Sequence, residues 1–196
     1  MMFPPPMAPA WIWAPLIALA LWQGGLLAVE AAGPAPARSL ELRGSTFFVK
    51  PPWKVDLVSF YTNIWTPNAE YYFTVELDPQ AGASLGGLQI EQTRGVDRRF
   101  PFFVDRTRAF LGRPRAEGAP VPVQASFDPN LRRFTLTFPE PVPPGSTLTV
   151  VLRPWHNPGQ SDTYMFEVTA FPAGPNPSPT PLGYGTLRIY DPNMWW

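Results

Sequence analysis

Cysteine is absent from the 196-residue sequence, and histidine occurs once. The first absence excludes a disulfide framework, a thiolate zinc or iron–sulfur site, and a lipid anchor attached through cysteine. The second excludes a multi-histidine metal site within one chain. Lysine is nearly missing as well, since 13 of the 15 basic residues are Arg. Fifteen acidic residues balance them, so no net charge draws the chain toward nucleic acid. Backbone punctuation, by contrast, is abundant. The 28 Pro and 15 Gly make up about 22% of the chain, against about 12% in an average protein. Pro costs roughly 3 kcal/mol inside a helix, which argues against a long helical bundle. Disorder is excluded too, because 45% of the residues are hydrophobic and 14% aromatic.

No charged side chain precedes Glu30, and residues 10–29 (AWIWAPLIALALWQGGLLAV) are almost wholly apolar. As a helix, this stretch has the length of a bilayer core, about 30 Å. Small residues follow it, and Val29-Glu30-Ala31 and Ala35-Pro36-Ala37 are usable cleavage signatures. The expectation is a signal peptide or membrane anchor over residues 1–37, an apolar helix with residues 10–29 as the membrane-attachment segment. One domain over residues 38–196 follows, exported to the periplasm or cell envelope. Cleavage after Ala37 leaves 159 residues, the size of a single domain.

That remainder shows short apolar/polar alternation and no repeat at periods of 20–50 residues. Tyr71, Phe73, Val75 and Leu77 share one strand face, with Tyr72, Thr74 and Glu76 opposite. Phe134, Leu136 and Phe138 alternate with Arg133, Thr135 and Thr137. Tyr164, Phe166, Val168 and Ala170 alternate with Met165, Glu167 and Thr169. Weaker strands are expected over residues 46–50, 55–60, 87–93, 100–104, 121–127, 147–152 and 185–190. Asp128-Pro129-Asn130 suits a hairpin turn. Pro141-Val142-Pro143-Pro144-Gly145 reads as a stiff connector outside any central strand. Residues 172–181 (PAGPNPSPTP) read as an exposed loop, and only residues 78–85 (DPQAGASL) offer a helical turn. The pattern predicts an all-β fold, a single antiparallel β-sandwich of the immunoglobulin-like kind.

The order of motifs from Tyr71 onward resembles a family of exported cyanobacterial proteins of unknown function. The stretches that carry the resemblance are YYFTVELDPQAGASLGGLQIEQ (71–92), AFLG (109–112) and FPEPVPPGSTLTVVLRPWHNP (138–158). TYMFEVTAFPAG (163–174) and LGYGTLRIYD (182–191) continue it. It covers about three quarters of the chain after the leader, and PVPPG with LRPxxNP gives it specificity. The resemblance implies an apolar leader and an all-β envelope domain, with no established reaction. This chain departs from it in its charge-poor N-terminus and in the tail Asn193-Met194-Trp195-Trp196.

Chemistry-bearing motifs are sparse. Gly82-Ala83-Ser84-Leu85-Gly86 fits G-x-S-x-G, and Ser84, Asp128 and His156 follow the Ser…Asp…His order of α/β-hydrolases. That motif works at a sharp strand-to-helix turn, whereas residues 87–93 alternate like a strand, so a Gly-rich turn is the better reading. His156 with Met165 and Met194 would suit Cu(I), but no spacing brings them together. Glycoside hydrolysis needs two carboxylates across a cleft. Glu76, Glu91 and Glu167 fall on polar strand faces, and no spacing singles out a pair. No phosphate-binding or dinucleotide fingerprint occurs. The sequence therefore assigns no catalytic residue, no metal ligand and no cofactor.

Two features remain for binding. Residues 94–115 hold seven Arg against Asp97 and Asp105. Arg pairs bidentately with phosphate and carboxylate, which suits an anionic lipid surface or an acidic glycan. The same side chains also suit pairing with carboxylates, their stems laid over Phe100, Phe102 and Phe103. Trp53, Trp65, Trp155, Trp195 and Trp196 follow the leader; the first two are expected in the core, and the last two end the chain. Arg98, Arg99, Arg106, Arg108, Trp155, Trp195 and Trp196 are the candidate binding residues. The functional expectation is a non-enzymatic binding or structural module of the cell envelope. Its partner would be an envelope protein, a glycan or an anionic lipid surface, and not nucleic acid. The alternative is a hydrolase acting on an envelope polymer through Ser84 or a carboxylate pair.

Overall fold

The three clearest runs of period-two alternation, beginning at Tyr71, Phe134 and Tyr164, all close into strands. In the computed structural model, which describes residues 40–42 and 44–193, the chain forms β1 Leu40–Leu42, β2 Ser45–Phe47, β3 Val55–Val58 and β4 Tyr71–Glu76. It continues with β5 Leu85–Arg94, β6 Arg108–Arg113, β7 Ala116–Val121 and β8 Gln124–Asp128. The last four are β9 Arg133–Val142, β10 Thr147–Leu152, β11 Asp162–Pro172 and β12 Thr180–Ile189. Among the described residues the only helical element is a 3₁₀ turn at Val104–Arg106, and residues 78–85 carry turns rather than a helix before β5 begins. The leader, expected over residues 1–37, lies outside the described residues.

Two five-stranded antiparallel sheets form, in the orders β3-β4-β10-β6-β7 and β12-β11-β5-β9-β8, beside a small β1–β2 pair. Their apolar faces share one core, so the fold is a β-sandwich. Tyr71, Phe73 and Val75 face Phe134, Leu136 and Phe138 of β9 and Tyr164, Phe166 and Val168 of β11, all buried as expected. Phe166 meets Phe73 edge-on at 5.6 Å and Tyr71 at 6.1 Å, tying the sheets together.

Several expectations need correction. Tyr72 and Thr74, read as a polar face, are buried as well. Thr74 pairs with Thr149 across the sheet at 2.9 Å, and Tyr72 joins Phe110 and Val151 in a second apolar cluster on the outer face. The prolines past Thr137 do not stop β9, which runs on to Val142. Its neighbour β8 pairs only as far as Thr137, so beyond that point β9 has a single partner and Pro141 costs no ladder bond. Residues 100–104 form no strand. They meet residues 153–155 only through a Phe102–Pro154 bridge and two flanking backbone bonds. The run expected at 121–127 is divided between β7 and β8, and β6 was not anticipated. Trp53 and Trp65 are surface residues, 83% and 59% exposed, rather than core.

Candidate functional site

One end of the sandwich gathers residues 61–68, 95–107, 128–133 and 153–161. Asn157 holds it together. Its backbone N–H donates to Thr66 O, and its Nδ2 donates to the carbonyls of Tyr61 and Asn63 at 2.8 Å each. Its Oδ1 accepts from the Tyr71 hydroxyl at 2.9 Å, so a fully buried amide uses both its polar atoms. The asparagine of LRPxxNP is therefore the staple between the core strand β4 and two surface loops. Burial pushes the Tyr71 phenol well above its usual range.

The loop over residues 95–99 is pinned through its backbone. Gln92 Nε2 donates to Asp97 O, Val96 N–H to Asp162 Oδ2, and Arg99 N–H to Asp97 Oδ1. Asp97 Oδ2 also accepts from Gly159 N–H at 2.9 Å. Gly95 is required here: its φ is +126°, and a Cβ would lie 2.1 Å from the Tyr164 ring. With Asp97 engaged by backbone donors, the Arg98 and Arg99 side chains stand exposed. Neither forms an ion pair among the described residues.

The other candidates divide between two places. Trp155, 53% exposed, stacks on Phe103 at 5.2 Å, and Arg106 lies over the same ring at 4.3 Å. These stand at the same end as Arg98 and Arg99, because Trp155 N–H bonds Pro101 O. Arg108 does not join them. It sits on the outer face of β6, bonded to Glu117 at 2.8 Å, within 3.6 Å of Glu70, and over the Tyr72 and Phe110 rings. Arg113 likewise pairs with Asp56 and Glu76, and Arg115 covers Phe60. Of the seven arginines in the segment, Arg108 and Arg113 are thus ion-paired and Arg115 lies over a ring, while Arg98 and Arg99 are exposed without ion pairs among the described residues. Trp195 and Trp196 lie outside the described residues.

Two residues stand at this end in settings that the sequence does not signal. Trp65 adopts a positive φ of 57°, rare for an aromatic residue, and holds its ring 4.9 Å from the His156 ring. Gly159 makes room for it, since a Cβ there would meet the indole at 2.3 Å. Arg132 is 5% exposed and forms no ion pair among the described residues. Its Nε donates to Gln92 Oε1, its Nη1 donates to Phe100 O, and Nη2 has no partner among the described residues. Phe100, Phe102 and Phe127 surround the guanidinium at 4.5–5.3 Å. Burial, with the Arg98 charge adding to it, lowers its pKa to about 10. The Asp128-Pro129-Asn130 turn is legible in the sequence; that Arg132, two residues past it, folds inward while Leu131 stays exposed is not.

Three hollows of about 420, 430 and 470 Å³ flank this loop, and Arg99 lines all three. The first adds Trp65 and His156, the second Arg98 and Arg132, and the third Asp97 and Gln160. Each falls within the range of ligand clefts, roughly 300–1,000 Å³.

The hydrolase candidates do not assemble. Ser84 leads straight into the ten-residue strand β5, so no strand-to-helix turn presents its hydroxyl. Asp128 Oδ1 accepts from the Asn130 and Leu131 N–H groups, and His156 Nδ1 donates to Asn157 O. Glu76 pairs with Arg113 and Glu91 with Arg133, while Glu167 stands opposite Glu91 on a sheet face. No group of three or more metal-capable side chains occurs among the described residues.

No curated protein matches the sequence. Among solved structures the chain is similar to a collagen-binding domain from a Staphylococcus aureus adhesin, at 4% identity and a TM-score of 0.40. The match covers 72% of this chain and 100% of that one. It is similar to the C-terminal domain of the Streptococcus pyogenes antigen I/II-family protein AspA at 11% identity and a TM-score of 0.42. There it covers 69% of this chain and 46% of that one, about half its length. A third likeness, at 15% identity and a TM-score of 0.39, is to AvmM, which catalyses macrocyclization in alchivemycin A biosynthesis; it covers 84% of this chain and 100% of that one. At this distance none of the three carries a function over. The sequence itself matches the family described as protein of unknown function (DUF2808) over residues 45–189, and the chain belongs to that family.

Proposed function

We propose that the chain is an exported, non-enzymatic binding module of the cell envelope, with its working surface at the loop end of the sandwich. Residues 1–37 serve as the leader or anchor, with residues 10–29 as the apolar span, and residues 38–196 form the module. Among the described residues no helix is long and apolar enough to cross a membrane. The observation that carries the reading is that exposed Arg98 and Arg99, without ion-pair partners among the described residues, stand at the same end of the sandwich as exposed Trp155, whose loop is bonded to theirs through Pro101. Charged groups left unpaired beside aromatic surface suit recognition of an anionic partner.

Binding of the purified protein to native envelope fractions tests this. The expected result is binding that weakens as salt rises and falls severalfold in Arg98→Gln/Arg99→Gln and in Trp155→Ala. Binding unchanged by salt and by all three substitutions overturns the assignment of this surface. Removal of Trp195 and Trp196 in the same assay reads whether the tail contributes.

A further inference from the structure

Resting on that reading, we infer that the three hollows around residues 96–101 form one site for an acidic polysaccharide, with the Trp65 indole as the stacking platform and the exposed Arg98 and Arg99, backed by the buried Arg132 charge, as the anion-binding pair. Arg99 lines every hollow, so the hollows are neighbours along one surface. A row of adjoining recesses suits successive residues of a linear polymer, where a single ion would fill only one.

The chemistry differs along the row. At one end the Trp65 ring is exposed yet held in place by His156 on one side and the Gly159 backbone on another. A fixed, exposed indole offers a sugar ring an apolar face at little entropic cost. At the other end two exposed guanidinium groups flank a third that is buried. Arg98 lies close enough to Arg132 for their charges to repel. Asp97 offsets one of the three cations and is itself held by backbone N–H groups, so the recess keeps a positive balance. Such a balance is relieved by an incoming carboxylate or sulfate, to which Arg98 and Arg99 present planar forks. The loop that carries them is already pinned by four hydrogen bonds, so binding orders little backbone. Recessed subsites suit a sugar polymer; exposed Val96 and Trp155 at the same end make a membrane surface the competing occupant that the vesicle arm of the test reads.

The test uses the full-length purified chain with polygalacturonate, dextran sulfate and neutral dextran as probes, alongside vesicles of anionic and zwitterionic phospholipid. The expected result is micromolar binding of polygalacturonate or dextran sulfate, none of dextran, and quenching of Trp fluorescence. Arg98→Gln/Arg99→Gln weakens binding at least tenfold and lowers its salt dependence. Trp65→Ala weakens it severalfold and leaves the salt dependence in place. Arg98 and Arg99 are exposed, so their variants keep the fold even where Arg132→Met does not. Polyanion binding that is indifferent to Trp65→Ala marks simple ion exchange and overturns the inference. Binding of anionic vesicles without either acidic polysaccharide overturns it in favour of a membrane surface. Native envelope fractions that bind while every defined polysaccharide fails overturn this inference and leave the wider reading standing. The reverse outcome removes the envelope reading and keeps the glycan site.

Discussion

At the scale of single residues, the loop end depends on buried polar groups with completed hydrogen bonds. Asn157 is the clearest case: truncation to Ala strands the Tyr71 hydroxyl in the core and removes two bonds to the carbonyls of Tyr61 and Asn63, which keep Ser59 Oγ and Thr66 Oγ1 as donors. Stranding one buried polar group costs about 1–3 kcal/mol and the two further bonds add less, so Asn157→Ala is expected to lose about 2–3 kcal/mol in urea unfolding. Tyr71→Phe removes only one hydroxyl and is expected to cost about 1 kcal/mol. The two losses are expected to be less than additive, because one bond is counted in both. An Asn157→Ala protein as stable as the parent refutes the staple. Arg132 follows a different logic, since rings and neutral acceptors surround its charge where a carboxylate would be usual. In the sequence it looks like any other arginine after a turn. Only the left-handed backbone at Arg132, φ 58°, turns it inward.

At the scale of elements, the strands with clean alternation formed where they were read, because one face of each meets the shared core. β11 shows this best, with buried residues at every second position from Tyr164 to Pro172. Phe166→Ala removes the ring that meets Tyr71 and Phe73, and is expected to cost roughly 3–5 kcal/mol in the same unfolding measurement. A loss under about 1 kcal/mol would show that the sheets do not depend on this contact. β4 departed from the pattern because alternation signals one buried face, while its outer face is covered as well. Tyr72 lies under the Phe60 ring and the Arg108 guanidinium, both brought there by distant segments. β9 departed because the tolerance of a strand for proline depends on its neighbour, and the end of β8 cannot be seen in the sequence of β9. β7 is exposed along most of its length and carries Glu117 and Pro120, which blunt a sheet edge.

At the scale of the whole molecule, three buried phenols link stability to alkaline pH. Burial, with the Glu70 carboxylate adding to it, raises Tyr72 to about 12, and burial raises Tyr164 to about 12; Tyr71 is driven further in the same direction. In the unfolded chain a tyrosine ionises near 10, so the fold favours the protonated phenol. The resulting stability is fully present below pH 10 and is lost as pH rises through about 12. Alkaline titration is expected to unfold the sandwich in that window, with tyrosinate absorbance and loss of the β signal rising together. Ionisation of these three phenols in a chain that stays folded would contradict their burial. The same whole-molecule packing assembles the candidate surface, since residues 61–68, 95–107, 128–133 and 153–161 are distant in sequence and meet at one end of the sandwich.

Composition and alternation alone determined that the chain is all-β, which residues fill the core of β4, β9 and β11, and that it holds no cysteine or multi-histidine metal chemistry. These properties are local: a period of two and a high proline content act within a few residues of chain. They also determined that arginine is concentrated in residues 94–115, but not which of those arginines are engaged. Tertiary structure decided that, placing Arg108 and Arg113 beside carboxylates from other strands while Arg98 and Arg99 face outward around an Asp97 already bonded to backbone. It likewise decided that Trp65 is a surface platform and Arg132 a buried cation, because the ring, the glycine and the loop that settle each come from parts of the chain between 30 and 95 residues away.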